Sequence, residues 1–422
     1  MRQAPASVTL SSASSTISAL LNQRDYVRFW SMRWLVGLGQ QIQAVAMGWQ
    51  VYSLARNDGT VQESALQLGW LGLAAFLPMF LLALPAGWAA DHLKRKSVAL
   101  LCIGGEALTI AILLAITAMH LASVPLLIAV AALFGLSRAF LHPATTAMGP
   151  MLVPRDLLAR AIAWNSLAWQ SSAVIGPALG GVLIAISPEV AYGGGLALYA
   201  VGLFCLGAIA TSTQPDAQPG SPLAKVKEGL LYVWRQKIVF GALSLDLVAV
   251  LLGGATALLP VFAKDVLHVG PDGFGVLRAA PAIGATVMAI ALGANPIRNR
   301  AGIYMLGGVG LFGVATVVFG LSKLFWLSAA ALVVLGGADM LSVFVRQTLI
   351  QVVTPDPMRG RVAAVSALFI SGSNELGEFE SGIVARFLGP IGAAVFGGVG
   401  AILATGLWAV MFPSLRKADR LE

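Results

Sequence analysis

Long apolar runs separated by short polar segments dominate this sequence. A helix that crosses a hydrocarbon layer of about 30 Å needs roughly 20 apolar residues. Runs of that length predict twelve membrane-spanning helices, six on each side of the longest polar stretch in the interior. The predicted spans are 29–54, 65–90, 97–119, 121–141, 161–187, 190–211, 238–263, 273–294, 301–322, 324–345, 362–385 and 387–412.

The same pattern divides the chain into two halves joined by a polar linker. The predicted segments are a cytoplasmic tail (1–28), a first six-helix bundle (29–211), a cytoplasmic linker (212–237), a second six-helix bundle (238–412) and a cytoplasmic tail (413–422). Within the linker, the stretch from Lys225 to Lys237 has the pattern of a short amphipathic helix that lies along a membrane. The predicted fold class is therefore an all-α membrane protein made of two pseudo-symmetric bundles.

An internal repeat supports the division into halves. A shift of 201 residues without a gap places helix-packing and loop-anchoring residues of the first half on matching residues of the second. The matched pairs are Gly135 with Gly336, Pro154 with Pro355, Arg160 with Arg361, Leu167 with Leu368, Gly176 with Gly377, and Gly181 with Gly382. Homologous halves of this kind are expected to be related by an axis normal to the membrane, with the substrate site between them.

Composition excludes a soluble protein. Apolar residues make up 58% of the chain and charged residues 11%, and the mean hydropathy is +0.83. Soluble domains carry about 25% charged residues. The net charge of +8 fits basic cytoplasmic loops better than nucleic-acid binding, because no basic face with interleaved aromatics occurs. Cys102 and Cys205 lie inside apolar runs, so neither a disulfide framework nor a metal site is predicted.

The distribution of charge predicts the orientation. Loops on the side of the N-terminus are strongly basic, and loops on the opposite side are not. The basic loops contain Lys94–Lys96, Arg155, Arg160, Lys225–Lys237, Arg298, Arg300, Arg359 and Arg361. Because basic loops stay in the cytoplasm, we expect a multi-pass protein of the inner (plasma) membrane with both termini cytoplasmic. The Ser- and Ala-rich start is expected to be a short tail rather than a cleaved signal peptide.

The loop between the second and third spans carries a motif. Gly87, Asp91, Arg95 and Lys96 follow the spacing Gly-x-x-x-Asp-x-x-x-Arg-Lys. Gly87 lacks a Cβ and would let a neighbouring helix approach closely, and Asp91 would accept backbone N–H groups at a helix end. This loop resembles the loop 2–3 signature of the major facilitator superfamily, and the resemblance implies a role in conformational gating. The alternative is an ordinary positive-inside turn.

The resemblance has two departures, Lys94 where the family usually has Gly and His92 where Arg is common. A second motif lies in the fifth span, where Gly176, Pro177, Gly180 and Gly181 resemble the antiporter motif of drug-exporting major facilitators. Ser172 replaces the upstream glycine of that motif, and a plain proline kink is the alternative. These four residues are also candidates for conformational gating.

Several charged residues lie inside predicted spans, where each costs a few kcal/mol unless it has a partner or a wet cavity. The candidates for proton coupling are Glu375, Glu378, Asp246 and Asp339. Asn374, Glu375 and Glu378 share one helical face of the eleventh span, and two carboxylates one turn apart repel, so at least one is expected to bind a proton near neutral pH. The alternative is a structural salt-bridge network with Arg346 or Arg386.

Other polar residues at membrane depth are candidates for lining the substrate cavity. They are Gln40, Gln41, Arg138, His142, Arg346 and Asn374. The shift of 201 residues places Arg138 on Asp339, so these two could pair across a central cavity or hold a zwitterionic or anionic substrate. Local pairing within each half, and for Arg346 snorkelling to the cytoplasmic interface, are the alternatives.

Three further segments, 152–161, 338–347 and 374–382, resemble the transmembrane secretion effector branch of the superfamily, and the whole resemblance covers residues 22–412. It implies a secondary active exporter that alternates between inward- and outward-open states. In such a carrier, spans 1, 4, 7 and 10 would line the path.

The leading hypothesis is proton antiport that exports a small amphipathic compound such as a drug, siderophore or metabolite. The chain lacks the phosphate-binding loop of nucleotide-driven pumps, and its four histidines are dispersed, so neither an ATPase nor an enzyme is predicted. No cofactor or metal is expected. The expected partners are the substrate, protons and the lipid bilayer, and the expected state is a monomer. An uptake carrier, a facilitated-diffusion carrier or a lipid flippase of the same fold, and a non-transporting receptor or assembly factor, are the alternatives.

Overall fold

A computed structural model describes residues 19–214, 222–295, 297 and 299–418 of the chain. The side chains at 84, 222–226, 356, 357, 364, 367, 368, 371 and 375 lie outside this description. Throughout the described ranges, all regular secondary structure is helical.

The helices of the first half are joined by short connections. They are α1 (Arg24–Asp58), α2 (Val61–Leu81), α3 (Ala83–His92), α4 (Arg95–Ala118), α5 (Val124–Met148), α6 (Leu158–Ile186) and α7 (Pro188–Gly207). Two short 3-10 turns, Gly149–Leu152 and Arg155–Leu157, connect α5 to α6. At the other side of the membrane, Thr60 begins α2 with a capping box in which its hydroxyl and the Glu63 carboxylate bond reciprocally to backbone N–H groups.

The linker contains the expected amphipathic helix, α8 (Pro222–Arg235). The helices of the second half are α9 (Lys237–Leu252), α10 (Pro271–Ala294), α11 (Ala301–Leu321), α12 (Phe325–Val353) and α13 (Asp356–Met411). The linker residues 215–221 and the tails at 1–18 and 419–422 lie outside the described residues.

Ten helical segments in the described residues are long and apolar enough to cross a membrane. One of them, Gly372–Met411, spans the last two predicted helices, which meet at Gly389 with a positive φ of 73°. The first predicted span, α1, is not among the ten. The total of twelve spans is consistent with this arrangement and stays a prediction.

Two predicted spans are interrupted, each for a local reason. The second breaks at Leu82, because Pro85 comes four residues after Leu81. The Pro85 nitrogen has no hydrogen to donate to the Leu81 carbonyl, and the proline ring would clash with that carbonyl in a continuous helix. The seventh breaks after Leu252 at the pair Gly253-Gly254 and continues as 3-10 and then π-helical turns to Val266.

Helix contacts define the arrangement of the two halves. In the first half α1 packs on α6 and α7, α4 on α5 and α7, and α2 on α5. In the second half α12 packs on α10 and α11, while α13 packs on α9 and α11. Two seams join the halves, α2 with α13 and α6 with α10.

The internal repeat is visible in these contacts. The backbone carbonyl of Ala75 on α2 packs against Gly135 on α5. In the second half, the carbonyl of Pro281 on α10 packs in the same way against Gly336 on α12, the repeat partner of Gly135. At both positions a Cβ would collide with that carbonyl, so glycine allows two equivalent helix pairs to approach closely. The observed fold is an all-α arrangement of two helical bundles with equivalent internal contacts.

Candidate functional site

A cavity of about 320 Å³ lies between α6 of the first half and the helices of the second half. Its polar lining residues are Gln170, Thr256, Asp339, Asn374 and Glu378. Its apolar wall consists of Ala173, Val250, Pro281, Ala282, Ala285, Phe312 and Leu335, and the glycines 253, 254 and 336 complete it.

Three residues predicted from the sequence therefore meet in one cavity. Asp339 comes from the middle of α12, whereas Asn374 and Glu378 lie one helical turn apart on α13. The Glu378 side chain passes over Gly72 of α2, where a Cβ would lie 3.0 Å from its Oε2 atom. Glycine at position 72 thus makes room for the carboxylate in the seam between the halves.

Gln170 is the contribution of the first half to the polar lining. Its Nε2 donates to the Ala282 carbonyl at 3.0 Å and to Thr286 Oγ1 at 2.8 Å, both on α10. These hydrogen bonds tie the two halves together beside the cavity. Gln170 is not among the residues predicted from the sequence, although it is an amide inside an apolar run, as Gln40 and Gln41 are.

A small second cavity adjoins the first through the shared residues Val250, Phe312 and Asp339. Asp246 of α9 lines it, and its carboxylate forms an ion pair with the guanidinium of Arg346 on α12. Arg346 is only 2% exposed, so the alternative that this side chain snorkels to the interface is wrong. Its described partner is Asp246, since the two side chains face each other where α9 meets α12.

One more cation lies near the larger cavity. Arg278 of α10 donates from Nη1 to the backbone carbonyl of Thr256 at 3.2 Å, and Thr256 is part of the lining. Arg278 itself is not a lining residue. Among the described residues that line the two cavities, none is basic.

The predicted cavity residues of the first half lie elsewhere. Gln40 donates from Nε2 to both carboxylate oxygens of Glu106, at 2.9 and 3.0 Å. Gln41 packs its Cβ and Cγ against Gly176. Glu106 is fully buried, and this pair joins α1 to α4 within the first half. Neither amide lines either of the two cavities described above.

Gln43 and Gln50 continue the polar contacts of α1 in a regular way. Each donates to a threonine of α4, at 3.2 and 3.0 Å, and each accepts from a tyrosine of α7, at 3.2 and 2.7 Å. The partners are Thr109 and Tyr199 for Gln43, and Thr117 and Tyr192 for Gln50. Internal satisfaction of these amides explains why α1 can be polar at membrane depth.

Arg138 and His142 on α5 do not line the two cavities. The Arg138 guanidinium lies 5.5 Å from the ring centroid of Phe134 on the same helix, and His142 is exposed. Pairing of Arg138 with Asp339 is absent among the described contacts. The side chain of Glu375 lies outside the described residues, so its role as a proton-coupling candidate stays a prediction.

The loop motif is partly organised as expected. Arg95 donates to the Ala147 carbonyl at 2.9 Å, and Lys96 donates to the carbonyls of Gly207 and Ile209 at 2.8 and 2.6 Å. These bonds fasten the loop to the ends of α5 and α7.

The expectation that a neighbouring helix approaches Gly87 closely is wrong, because a Cβ placed there would meet nothing within 4 Å. Ala86, Ala89 and Ala90 of the same segment are buried. Asp91 is exposed and has no hydrogen bond or ion pair among the described residues. Its expected bonds to backbone N–H groups are therefore not formed in this state.

The fifth-span motif makes close contacts along α6, which remains one continuous helix through Pro177. Gly176 faces Gln41 and Gly180 faces Ile42, both on α1, while Gly181 faces Gly275 of α10 in the other half. A Cβ on Gly181 would lie 2.7 Å from the Gly275 Cα atom. The motif thus packs α6 against α1 within the first half and against α10 of the second half.

The far ends of α1 and of the seventh span meet on the side opposite the N-terminus. Arg56 Nη2 lies 3.1 Å from Asp265 Oδ1, and the Tyr52 hydroxyl donates to the other carboxylate oxygen. Arg56 also donates from Nη1 to the Gly59 carbonyl at 2.7 Å. This cluster joins the two halves at that end of the helices.

No group of His, Cys, Asp and Glu residues in the described part of the chain is arranged to hold a metal ion. What remains is a cavity with ionisable side chains between two pseudo-symmetric helical bundles. This combination defines a transporter of the major facilitator type.

The model of the transmembrane secretion effector family matches residues 14–422, so the chain belongs to that family. Enterobactin exporter EntS of Citrobacter koseri is 28% identical over 390 residues, which cover 90% of this chain and 92% of the exporter. The same exporter from Escherichia coli has the same identity and coverage. These relatives are transporters, not enzymes.

Solved structures of other transporters share the fold. The nucleoside transporter NupG superposes with a TM-score of 0.70 at 13% identity, covering 92% of this chain and 100% of that one. A bacterial homologue of the iron transporter ferroportin in the inward-facing state has a TM-score of 0.70 at 15% identity, covering 93% and 98%. At these identities the likeness concerns the fold alone.

Proposed function

We propose that this protein exports a small amphipathic compound across the inner (plasma) membrane by proton antiport with alternating access. The observation that carries the proposal is the placement of Asp339 and Glu378, two carboxylates from different helices, in one cavity between the halves. Membership of a family whose curated relatives include a named exporter supports the direction of transport.

The packing of the halves supports alternating access. On the side opposite the N-terminus, the ion pair of Arg56 with Asp265 and the crossing of Gly181 with Gly275 hold the halves together. The basic loops lie on the other side, which we assign to the cytoplasm with both termini. The present arrangement then corresponds to a carrier closed toward the outside.

Proton coupling follows from the chemistry of the cavity. In the proposed cycle, Asp339 and Glu378 bind substrate as carboxylates from the cytoplasm and accept protons from the outside, and protonation releases the substrate. Other charged groups of this region are Arg278 at the Thr256 carbonyl and the ion pair of Asp246 with Arg346 in the adjoining cavity. Glu375 belongs to the same proposed set.

Everted membrane vesicles test this proposal. Respiration acidifies their lumen, and a fluorescent weak base reports the pH gradient while compounds from a panel of drugs and siderophores are added. An antiporter that exports a compound from the cytoplasm dissipates the gradient when that compound is present. We expect the Asp339→Asn/Glu378→Gln double variant to lose this response.

Glu380→Gln is the matched control, because it removes a carboxylate from the same helix α13 without touching the cavity lining. An unchanged response in the double variant would show that coupling does not run through these acids. Accumulation of a compound only in right-side-out vesicles would favour the alternative of an uptake carrier. Alkaline phosphatase fused after Glu422 tests the orientation, and activity of that fusion would contradict a cytoplasmic C-terminus.

A further inference from the structure

We infer that the cavity around Asp339 and Glu378 binds a ligand with a positively charged head and an apolar body. This inference rests on the proposed transport function and narrows its substrate class. It departs from the expectation of an anionic or zwitterionic substrate held between Arg138 and Asp339, because Arg138 does not line the cavity.

The acids inside the membrane-spanning helices differ in their partners. Glu106 accepts hydrogen bonds from Gln40, and Asp246 pairs with Arg346. Asp339 and Glu378 have no such partner among the described residues, and these two are the acids that line the larger cavity.

The energetic consequence favours a cation. Asp339 and Glu378 are partly buried, and a carboxylate that loses part of its water inside a membrane without gaining a counter-charge is destabilised. The described lining contains no basic side chain; the guanidinium of Arg278 is bonded to the Thr256 carbonyl, and that of Arg346 is paired with Asp246. A cationic ligand would supply the missing charge to both acids, whereas an anionic ligand would add a third negative charge.

The remaining walls describe the rest of the ligand. Val250, Phe312 and Leu335 belong to the apolar part of the lining, and an aromatic ring such as that of Phe312 can stabilise a cation. Gln170 and Asn374 supply amides for a few directed hydrogen bonds. The volume of about 320 Å³ lies at the lower end of the range for drug-sized sites, so a compact ligand fits best.

A pair of probes with the same shape and opposite charge tests the inference. Tetraphenylphosphonium and tetraphenylborate each carry four phenyl rings around a central atom, one as a cation and one as an anion. We would measure equilibrium binding of each radiolabelled ion to the purified full-length protein in lipid nanodiscs, and subtract binding to empty nanodiscs. The expected result is saturable binding of tetraphenylphosphonium and none of tetraphenylborate.

Variants connect the binding to the two acids. We expect Asp339→Asn and Glu378→Gln each to weaken binding of tetraphenylphosphonium about tenfold, since each removes one charge from a site of low dielectric constant. Glu380→Gln should bind as the unchanged protein does. Retained size-exclusion profiles and unfolding temperatures would separate a lost site from a lost fold.

Saturable binding of tetraphenylborate in preference to the cation, absence of saturable cation binding, or unchanged affinity in both variants would each overturn the inference. The transport proposal is judged separately. If an anionic compound dissipated the pH gradient in everted vesicles while tetraphenylphosphonium did not bind, the exporter would stand and the cation site would fall.

Discussion

Arg56 and Asp265 form an ion pair across the two halves, with Nη2 and Oδ1 3.1 Å apart. The pair joins the end of α1 in the first half to the end of the seventh span in the second half, on the side opposite the N-terminus. Two opposite charges, one from each half, therefore hold the halves together at this end of the helices.

Removal of this ion pair should open the far side more often. A partly exposed ion pair is worth about 1 kcal/mol, which corresponds to about a fivefold change in a two-state population. Spin labels at Gln62→Cys and Asp272→Cys, in a Cys102→Ser/Cys205→Ser background, report the separation of the halves by electron double resonance. We expect Arg56→Gln to shift the distribution of distances toward longer values.

The exchanged variant, Arg56→Asp with Asp265→Arg, should restore the original distribution. Arg28→Gln serves as the control, because Arg28 forms its ion pair with Asp25 within the same half and at the other end of α1. Identical distributions in Arg56→Gln and the unchanged protein would mean that this ion pair does not govern closure.

The two glycine crossings between the halves should be sensitive to a single methyl group. A Cβ on Gly181 would lie 2.7 Å from the Gly275 Cα, and a Cβ on Gly382 would lie 2.8 Å from the Gly69 Cα. We expect Gly181→Ala and Gly382→Ala each to lower the free energy of unfolding by about 1–3 kcal/mol, as overpacking does, and to reduce transport. Unfolding followed by tryptophan fluorescence measures the stability.

Gly193→Ala provides the contrast, because a Cβ on Gly193 of α7 would meet nothing within 4 Å. Replacement of a glycine inside a helix by alanine then stabilises by up to about 1 kcal/mol. If all three alanine variants unfolded alike, close contact at the crossings would not be the reason for glycine there.

The fold could be predicted because its signals are local. A run of about 20 apolar residues specifies a span wherever it occurs, and the repeat at 201 residues relates the halves. The shift differs between the earlier and the later spans of each half. Gly135 and Gly336 differ by 201 residues, whereas Ala75 and Pro281, which they contact on the second and eighth spans, differ by 206 residues. No single shift therefore aligns the two halves throughout.

The candidate site was only partly predictable, because the direction of a side chain depends on the rotation of its helix. Charge inside an apolar run was enough to find Asp339 and Glu378. It could not separate them from Asp246, whose partner Arg346 comes from 100 residues further along the chain. Phe312 gives no signal at all, because apolar residues fill every span.

The buried ion pair of Asp246 with Arg346 should tolerate joint replacement better than single replacement. Arg346→Met leaves the Asp246 carboxylate without its counter-charge, and loss of one partner of a buried pair costs about 3–5 kcal/mol. Asp246→Leu with Arg346→Met removes both charges and should recover most of that loss. Thermal unfolding of the three proteins in the same detergent gives the comparison.

The same double variant separates a structural role of Asp246 from proton coupling. A structural pair predicts that the double variant still dissipates the pH gradient in everted vesicles when a substrate is added. If stability recovered while that response was lost, Asp246 would belong to the coupling machinery together with Asp339 and Glu378. If the single variant lost no stability, the ion pair would contribute nothing to the fold.

The attachment of α1 to the end of α7 through Asp25 should weaken at low pH. Asp25 accepts hydrogen bonds from the Thr211 hydroxyl at 2.6 Å and from the backbone N–H groups of Thr211 and Ala210 at 2.8 and 3.0 Å. The Thr211 hydroxyl is the main cause that holds the pKa of Asp25 below its usual value, and partial burial opposes it. A group with a lowered pKa stabilises the folded state above its ordinary pKa, and that contribution is lost as the pH falls through the lowered value.

Asp25→Asn should therefore unfold at a lower temperature than the unchanged protein at neutral pH. The difference between the two unfolding temperatures should stay constant down to about pH 5 and shrink below about pH 4, because the unchanged protein then loses the same charge. Asp58→Asn, at the exposed opposite end of α1, should show no such trend. A difference between Asp25→Asn and the unchanged protein that persisted at low pH would mean that shape, rather than charge, makes Asp25 fit the end of α7.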